Sequence, residues 1–265
     1  MRNTVATLAA KKAAGEKLAQ LTCYDYTTAR LMDQAGIDFI LVGDSLGMTM
    51  QGYSDTLPVT LDEMIVYGRS VVRGTQNAMV IVDMPFMSYQ ISPAQALESA
   101  GRIMKETGAQ GVKLEGGRDM APAIRAITGA GIPVVGHIGM TPQSVNTMGG
   151  FKVQGKGEEN AKRVLEDALA VQEAGAFAVT LECVPPKLAA LITKKLDIIT
   201  IGIGASSACD AQDLVYQDML GYSDGRTAKF VKKYADLHSV MLEAFQHYKS
   251  DVESRSFPNE EQKYN

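Results

Sequence analysis

Two hydrophobic periods alternate along the chain. Short runs such as Phe39-Ile40-Leu41-Val42 and Met79-Val80-Ile81-Val82 are apolar at every position, the pattern of strands buried on both faces of a parallel sheet. Eight segments qualify: residues 18–24, 39–43, 79–83, 111–115, 133–138, 178–182, 198–203 and, more weakly, 214–217. Between them the period becomes helical. Over 159–175, Ala161, Val164, Leu165, Ala168 and Leu169 share one face and Gly175 supplies a stop. Ser92-Pro93 reads as an N-cap with proline at the first helical position, opening a helix over 94–106 that ends near Gly108. Phe230, Val231, Tyr234, Leu237, Met241, Ala244, Phe245 and Tyr248 form a stripe that predicts a long amphipathic C-terminal helix, covering the barrel or meeting another subunit. No linker or repeat divides the chain. The alternation therefore predicts one α/β domain over 1–265, a (β/α)8 barrel with a C-terminal amphipathic helix; a doubly wound sheet is the alternative.

Composition narrows the function classes. With 46% hydrophobic and 21% charged residues, the chain has the apolar content for a packed core. A net charge of -4 without a basic run argues against nucleic acid as a partner, because phosphate neutralisation needs clustered Lys and Arg. No apolar run approaches the roughly 20 residues that cross a bilayer, so no membrane association is expected. Cys23, Cys183 and Cys209 form no Cys-x-x-Cys pair, which leaves no disulfide framework and makes a reducing cytoplasm the default. His137, His238 and His247 lack paired ligand spacing, so any metal is expected to be held by oxygen.

Acids end successive apolar strands: Asp44 after Gly43, Asp83 after Val82, Glu115 after Leu114 and Glu182 after Leu181. Each alone reads as a cap or loop residue. In a parallel barrel all such ends meet on one rim, and carboxylates brought together there repel unless a hard cation such as Mg²⁺ joins them. Lys113 precedes Glu115 by two, so both point to one face, and a buried lysine beside acids is a candidate carboxylate binder. Gly43-Asp44-Ser45-Leu46 resembles the serine motif of the GDSL esterases, but Asp236-Leu237-His238 lacks the spacing that would activate the serine. Ser45 then reads as a hydroxyl donor beside a metal ligand, or as a turn residue. The loop from Ile201 has Ser207 where a dinucleotide fingerprint needs glycine, so no nucleotide cofactor is expected. The glycine-rich stretch 149–157 reads equally as a closing lid or a solvated loop, and His137 as a core or a catalytic histidine.

Ordered motifs then carry a resemblance. Leu41-Val42-Gly43-Asp44-Ser45-Leu46-Gly47-Met48, Asp83-Met84-Pro85-Phe86-Met87, Val112-Lys113-Leu114-Glu115-Gly116-Gly117, Gly136-His137-Ile138-Gly139-Met140-Thr141-Pro142 and Leu181-Glu182-Cys183-Val184-Pro185 are similar to the ketopantoate (3-methyl-2-oxobutanoate) hydroxymethyltransferase family over nearly the whole chain. The resemblance implies a barrel of the phosphoenolpyruvate mutase and isocitrate lyase type. It implies transfer of a hydroxymethyl group from 5,10-methylenetetrahydrofolate, as co-substrate, to 3-methyl-2-oxobutanoate, giving 2-dehydropantoate for pantothenate biosynthesis. It further implies that Asp44, Asp83 and Glu115 serve one Mg²⁺ per subunit, Glu115 through water. Asp44, Ser45, Asp83 and Lys113 would bind the oxoacid, Glu182 would be the base, and the assembly would be a homo-oligomer, a decamer. Ser206, Ala211 and Ala228 depart from the family pattern and affect the expected loop geometry after the seventh strand. The rivals are a carbon-carbon lyase or mutase of the same barrel type, whose Lys-Lys-Cys-Gly loop is missing here, and a non-catalytic oxoacid-binding protein.

Overall fold

Each apolar run becomes a strand with both faces covered. β1 (Leu18–Thr22), β2 (Phe39–Val42), β3 (Met79–Asp83), β4 (Gly111–Glu115), β5 (Val134–Gly139), β6 (Ala178–Glu182), β7 (Ile199–Ile203) and β8 (Ala211–Gln212) pair neighbour to neighbour. All pairings are parallel and β8 returns to β1, so the sheet closes into the expected barrel. The computed structural model describes residues 2–223, 225 and 227–264. The barrel belongs to a compact unit, Met1–Val215, and Tyr216–Asn265 forms a second.

The helical segments follow their sequence signals. α1 (Val5–Ala13) precedes β1, and the connections carry α2 (Tyr26–Gln34), α3 (Leu46–Thr49), α4 (Leu61–Gly74), α5 (Pro93–Thr107), α6 (Ala121–Gly129), α7 (Val145–Met148), α8 (Glu158–Glu173) and α9 (Pro186–Lys195). α5 starts where Ser92 Oγ accepts from Gln95 N at 3.2 Å and stops at Gly108, whose φ of 77° is left-handed. At α4, Thr60 and Glu63 cap each other's backbone N–H, which satisfies two donors the helix itself cannot.

The strand expected at 214–217 lies earlier. β8 is Ala211–Gln212, paired to Ile201 and Gly202 on one side and to Leu18 and Ala19 on the other, and Tyr216–Met219 is a short helix, α10. Leu214 and Val215 supply the apolar signal that misled, because a two-residue strand is too short to set a pattern of its own. Ala211 is 1% exposed, with its methyl packed in the barrel core.

Strand register divides the barrel interior into two layers. Leu18, Phe39, Leu41, Met79, Ile81, Val135, Ala178, Ile199, Ile201 and Ala211 make an apolar floor, joined by the fully buried Leu8 of α1. Each large side chain so buried stabilises the fold by about 1.5–3 kcal/mol. Two residues further along the same strands, the inward set turns polar: Gln20, Asp83, His137 and Thr180 are all buried, as is Lys113 of β4.

In the second unit, α11 (Leu237–Glu253) begins later than the apolar stripe predicts. Asp236 caps it, accepting from Ser239 N at 3.4 Å, so Phe230, Val231 and Tyr234 precede the helix. None of its residues is fully buried; Phe245 and Tyr248 are 62% and 60% exposed. Among the described residues no helix is long and apolar enough to cross a membrane.

Candidate active site

The turn after β2 presents the first acid. A Cβ on Gly43 would lie 2.9 Å from Ser45 Oγ, so a residue without a side chain lets the turn fold tightly there. Asp44 N then donates to Asp83 Oδ2 at 3.2 Å, while Tyr24 Oη and Ser45 Oγ share a hydrogen bond of 2.8 Å. Asp83 and Lys113 are register partners on β3 and β4, which puts Lys113 Nζ 2.5 Å from Asp83 Oδ1. Burial alone would lower the Lys113 pKa, but the charges of Asp83, Glu115 and Asp44 outweigh it and raise the pKa above the ordinary value. Lys113 is therefore a fixed cation at neutral pH.

Across β4, β5 and β6 lies a second group. Glu115 pairs with His137 in register, and Gly139 with Glu182. His137 Nδ1 is 3.4 Å from Glu115 Oε1 and its Nε2 is 3.2 Å from Glu182 Oε2, so one imidazole links the two carboxylates. Burial and the nearby Lys113 oppose charging the ring, yet the two glutamates prevail and its pKa is pushed up to about 9. Gly139, at φ 90°, permits this close approach of the strands: a Cβ there would sit 2.3 Å from Glu182 O.

Gln143 ties the two groups together. Its backbone N donates to Glu115 Oε2 at 2.9 Å, and its side-chain Nε2 donates to Asp44 Oδ2 at 2.8 Å and to Met84 O at 3.0 Å. Tyr89 Oη donates to Gln143 Oε1 at 2.6 Å, fixing which way the amide faces. Asp44 is pushed up to about 8, chiefly by burial and then by the charges of Asp83 and Glu115, against the pull of Lys113 and Gln143. Asp83 is also raised by burial, against the pull of Lys113 beside it.

A family model described as ketopantoate hydroxymethyltransferase matches residues 2–260. The chain belongs to this family. A 3-methyl-2-oxobutanoate hydroxymethyltransferase of Clostridium novyi is 56% identical over 261 residues, covering 98% of this chain and 95% of its own length. The enzyme of that name from Enterococcus faecalis matches with the same identity and coverage. Solved structures share the fold at much lower identity. A 2,3-dimethylmalate lyase of the phosphoenolpyruvate mutase/isocitrate lyase superfamily matches at a TM-score of 0.63 and 14% identity, over 99% of this chain and 92% of that one. A phosphoenolpyruvate phosphomutase from Streptomyces platensis matches at 0.62 and 15%, over 95% and 88%. This hydroxymethyltransferase family member is thus an enzyme, and its barrel shares the fold of these solved structures.

The structure brings together all six residues the sequence singled out: Asp44, Ser45, Asp83, Lys113, Glu115 and Glu182. His137, left open between core and chemistry, is buried within the group. Gln143, Tyr89, Tyr24 and Asp213 carried no assigned role. For Asp213 a signal existed: placed correctly, β8 would have shown a fifth acid at a strand end. The donors of Asp44 and Asp83 are all oxygen, buried and mutually repulsive, which suits Mg²⁺ held by one or two carboxylates with waters and substrate oxygens. Among the described residues no group of three or more His, Cys, Asp or Glu is arranged to hold a metal by itself.

Proposed function

We propose that the chain transfers a hydroxymethyl group from 5,10-methylenetetrahydrofolate to 3-methyl-2-oxobutanoate, giving 2-dehydropantoate and tetrahydrofolate for pantothenate biosynthesis. The observation that carries this reading is the Glu182 carboxylate, held 3.2 Å from His137 and linked through Glu115 and Gln143 to the buried Asp44 and Asp83. That arrangement supports a base placed beside a site for a chelating oxoacid. The family match and the names of its relatives support the substrate and the product.

Asp44 and Asp83 would hold one Mg²⁺ per subunit. Both Glu115 oxygens already have protein partners, so its part at the metal would run through water. Bound Mg²⁺ supplies positive charge against the ketone and carboxylate oxygens of the oxoacid, making its C3 proton more acidic. Lys113, permanently protonated, and the Ser45 hydroxyl, oriented by Tyr24, complete an oxoacid site with Asp44 and Asp83. Glu182 removes the C3 proton, with the His137 ring 3.2 Å from its carboxylate as an ion-pair neighbour. The exposed apolar residues of α11 support assembly into a homo-oligomer, a decamer in the reading carried by the resemblance, acting in the cytoplasm.

The test is product formation from the oxoacid, the folate donor and Mg²⁺, with deuterium exchange at C3 of the oxoacid measured beside it. Metal-dependent exchange and product are expected. Binding without exchange would turn the protein into an oxoacid carrier, and cleavage of a longer acid would turn it into a lyase. Full activity in excess chelator would remove Mg²⁺ from the scheme, and sedimentation at the mass of a single chain would remove the oligomer.

A further inference from the structure

We propose that Asp213 is a second proton-transfer residue of this barrel, serving the oxygen of the one-carbon unit while Glu182 serves C3 of the oxoacid; the inference rests on the hydroxymethyl-transfer reading above. Regular pairing of β8 ends at Gln212, but the ladder runs on: Asp213 N donates to Gly202 O at 3.0 Å, and Leu214 O accepts from Thr22 N at 3.1 Å. Ala211 faces the apolar floor, so the period of two turns Asp213 inward as well. Its carboxyl is buried, and Gln20 reaches it from β1, with Nε2 3.3 Å from Oδ2. Among the described residues nothing donates a hydrogen bond to Asp213 Oδ1 or Gln20 Oε1. Leaving buried acceptors unmet is costly, and an apolar residue at 213 would avoid the cost, so an acid kept there points to a ligand atom that meets it.

The surroundings suit proton transfer. Lys113 on β4 favours the carboxylate, as does the Leu214 N–H, whereas Asp83 on β3 and Glu182 on β6 oppose it. Burial is the largest influence and pushes Asp213 up to about 7, so acid and base forms coexist at neutral pH.

Hydroxymethyl transfer requires such a group. The one-carbon unit, at the aldehyde oxidation level, takes its oxygen from water, which leaves both folate nitrogens bearing hydrogen. The C3 proton goes to Glu182, and the electron pair left on C3 forms the new carbon-carbon bond. The π pair of the one-carbon C=O moves onto oxygen, which takes the proton of the Asp213 carboxyl. Solvent then returns a proton to Asp213 and removes one from Glu182, so the charges balance and nothing is oxidised or reduced.

Asp213→Asn keeps the size and the hydrogen-bonding capacity but has no acidic proton to give. With Mg²⁺, 3-methyl-2-oxobutanoate and 5,10-methylenetetrahydrofolate, its product formation should fall by about two orders of magnitude. Deuterium exchange at C3 without folate, a step in which the one-carbon oxygen takes no part, should stay within about twofold. The limb of the kcat profile near pH 7 should vanish, and Asp213→Glu should recover part of the rate. Asp213→Leu combined with Gln20→Leu, which removes both partners of this buried hydrogen bond, should melt no lower than the parent chain. Wild-type product formation in Asp213→Asn, equal loss of exchange and transfer, or a melting drop in the combined Asp213→Leu and Gln20→Leu variant would each overturn the proposal. A parent chain that shows neither exchange nor product would overturn the hydroxymethyl reading itself, and this inference with it.

Discussion

The floor and the mouth of the barrel are built from the same strands two residues apart, yet they hold together by opposite means. Ile81 lies in the floor and Asp83 in the mouth; Val135 lies in the floor, and His137 in the mouth. In the floor any apolar side chain of the right volume contributes, because burial is non-directional. In the mouth each group depends on a particular partner: Lys113 on Asp83, His137 on Glu115 and Glu182, Asp44 on Gln143. Stability and chemistry are therefore separated along the strand axis, and substitutions in one layer should spare the property that resides in the other.

Glu182→Gln breaks the comparison most sharply if it is wrong. Turnover and C3 exchange should both fall by about 100- to 10,000-fold, the usual contribution of a positioned base, while urea unfolding stays close to that of the parent chain. Wild-type exchange in this variant would remove Glu182 from the base role. The converse probe is Ile201→Ala in the floor, expected to cost about 2–5 kcal/mol in unfolding free energy while kcat at 25 °C holds near the parent value. A kcat loss without a stability loss would mean that the layers are not independent.

Stability against pH sharpens the contrast further. Asp44, at about 8 in the folded protein against 3.8, contributes stability below about pH 4 that is lost as pH rises through about 8. His137, at about 9 against 6.5, contributes stability below 6.5 that is lost as pH rises through about 9. Both signs agree, so metal-free protein should melt at progressively lower temperature as the pH is raised over this window. Asp44→Asn should flatten part of the slope, with its advantage over the parent chain largest at the alkaline end. Parallel profiles for the two proteins would contradict the buried, proton-holding Asp44.

The smallest effect is expected of Tyr24→Phe, which deletes the hydroxyl partner of Ser45. A loss of about 0.5–1.5 kcal/mol in oxoacid binding, read as a rise of roughly twofold to tenfold in KM with kcat little changed, would fit an orienting role. An unchanged KM would show that Ser45 is set by its turn alone.

Most of the floor and part of the mouth could be read from the residues in order. Asp44, Asp83, Glu115 and Glu182 stood out because each ends an apolar run abruptly, and an abrupt end is a local signal. Tyr89 and Gln143 gave none: they are polar residues in connections, and their importance comes from a hydrogen bond to each other across 54 positions. Asp213 was hidden for a different reason. Its strand is two residues long, and neighbouring Leu214 and Val215 drew the expected strand past it.

Sequence alone determined the order of the first seven strands and the acids that end four of them, since these depend on the spacing of side chains along one element. The tertiary structure decided which groups meet. Closure of β8 onto β1 sets Asp213 beside Gln20, and the pairing of β4, β5 and β6 sets His137 between two glutamates. It also decided their protonation, raising Asp44, His137 and Asp213, because burial and the charges on other strands act through distances in space that residue spacing along the chain does not carry.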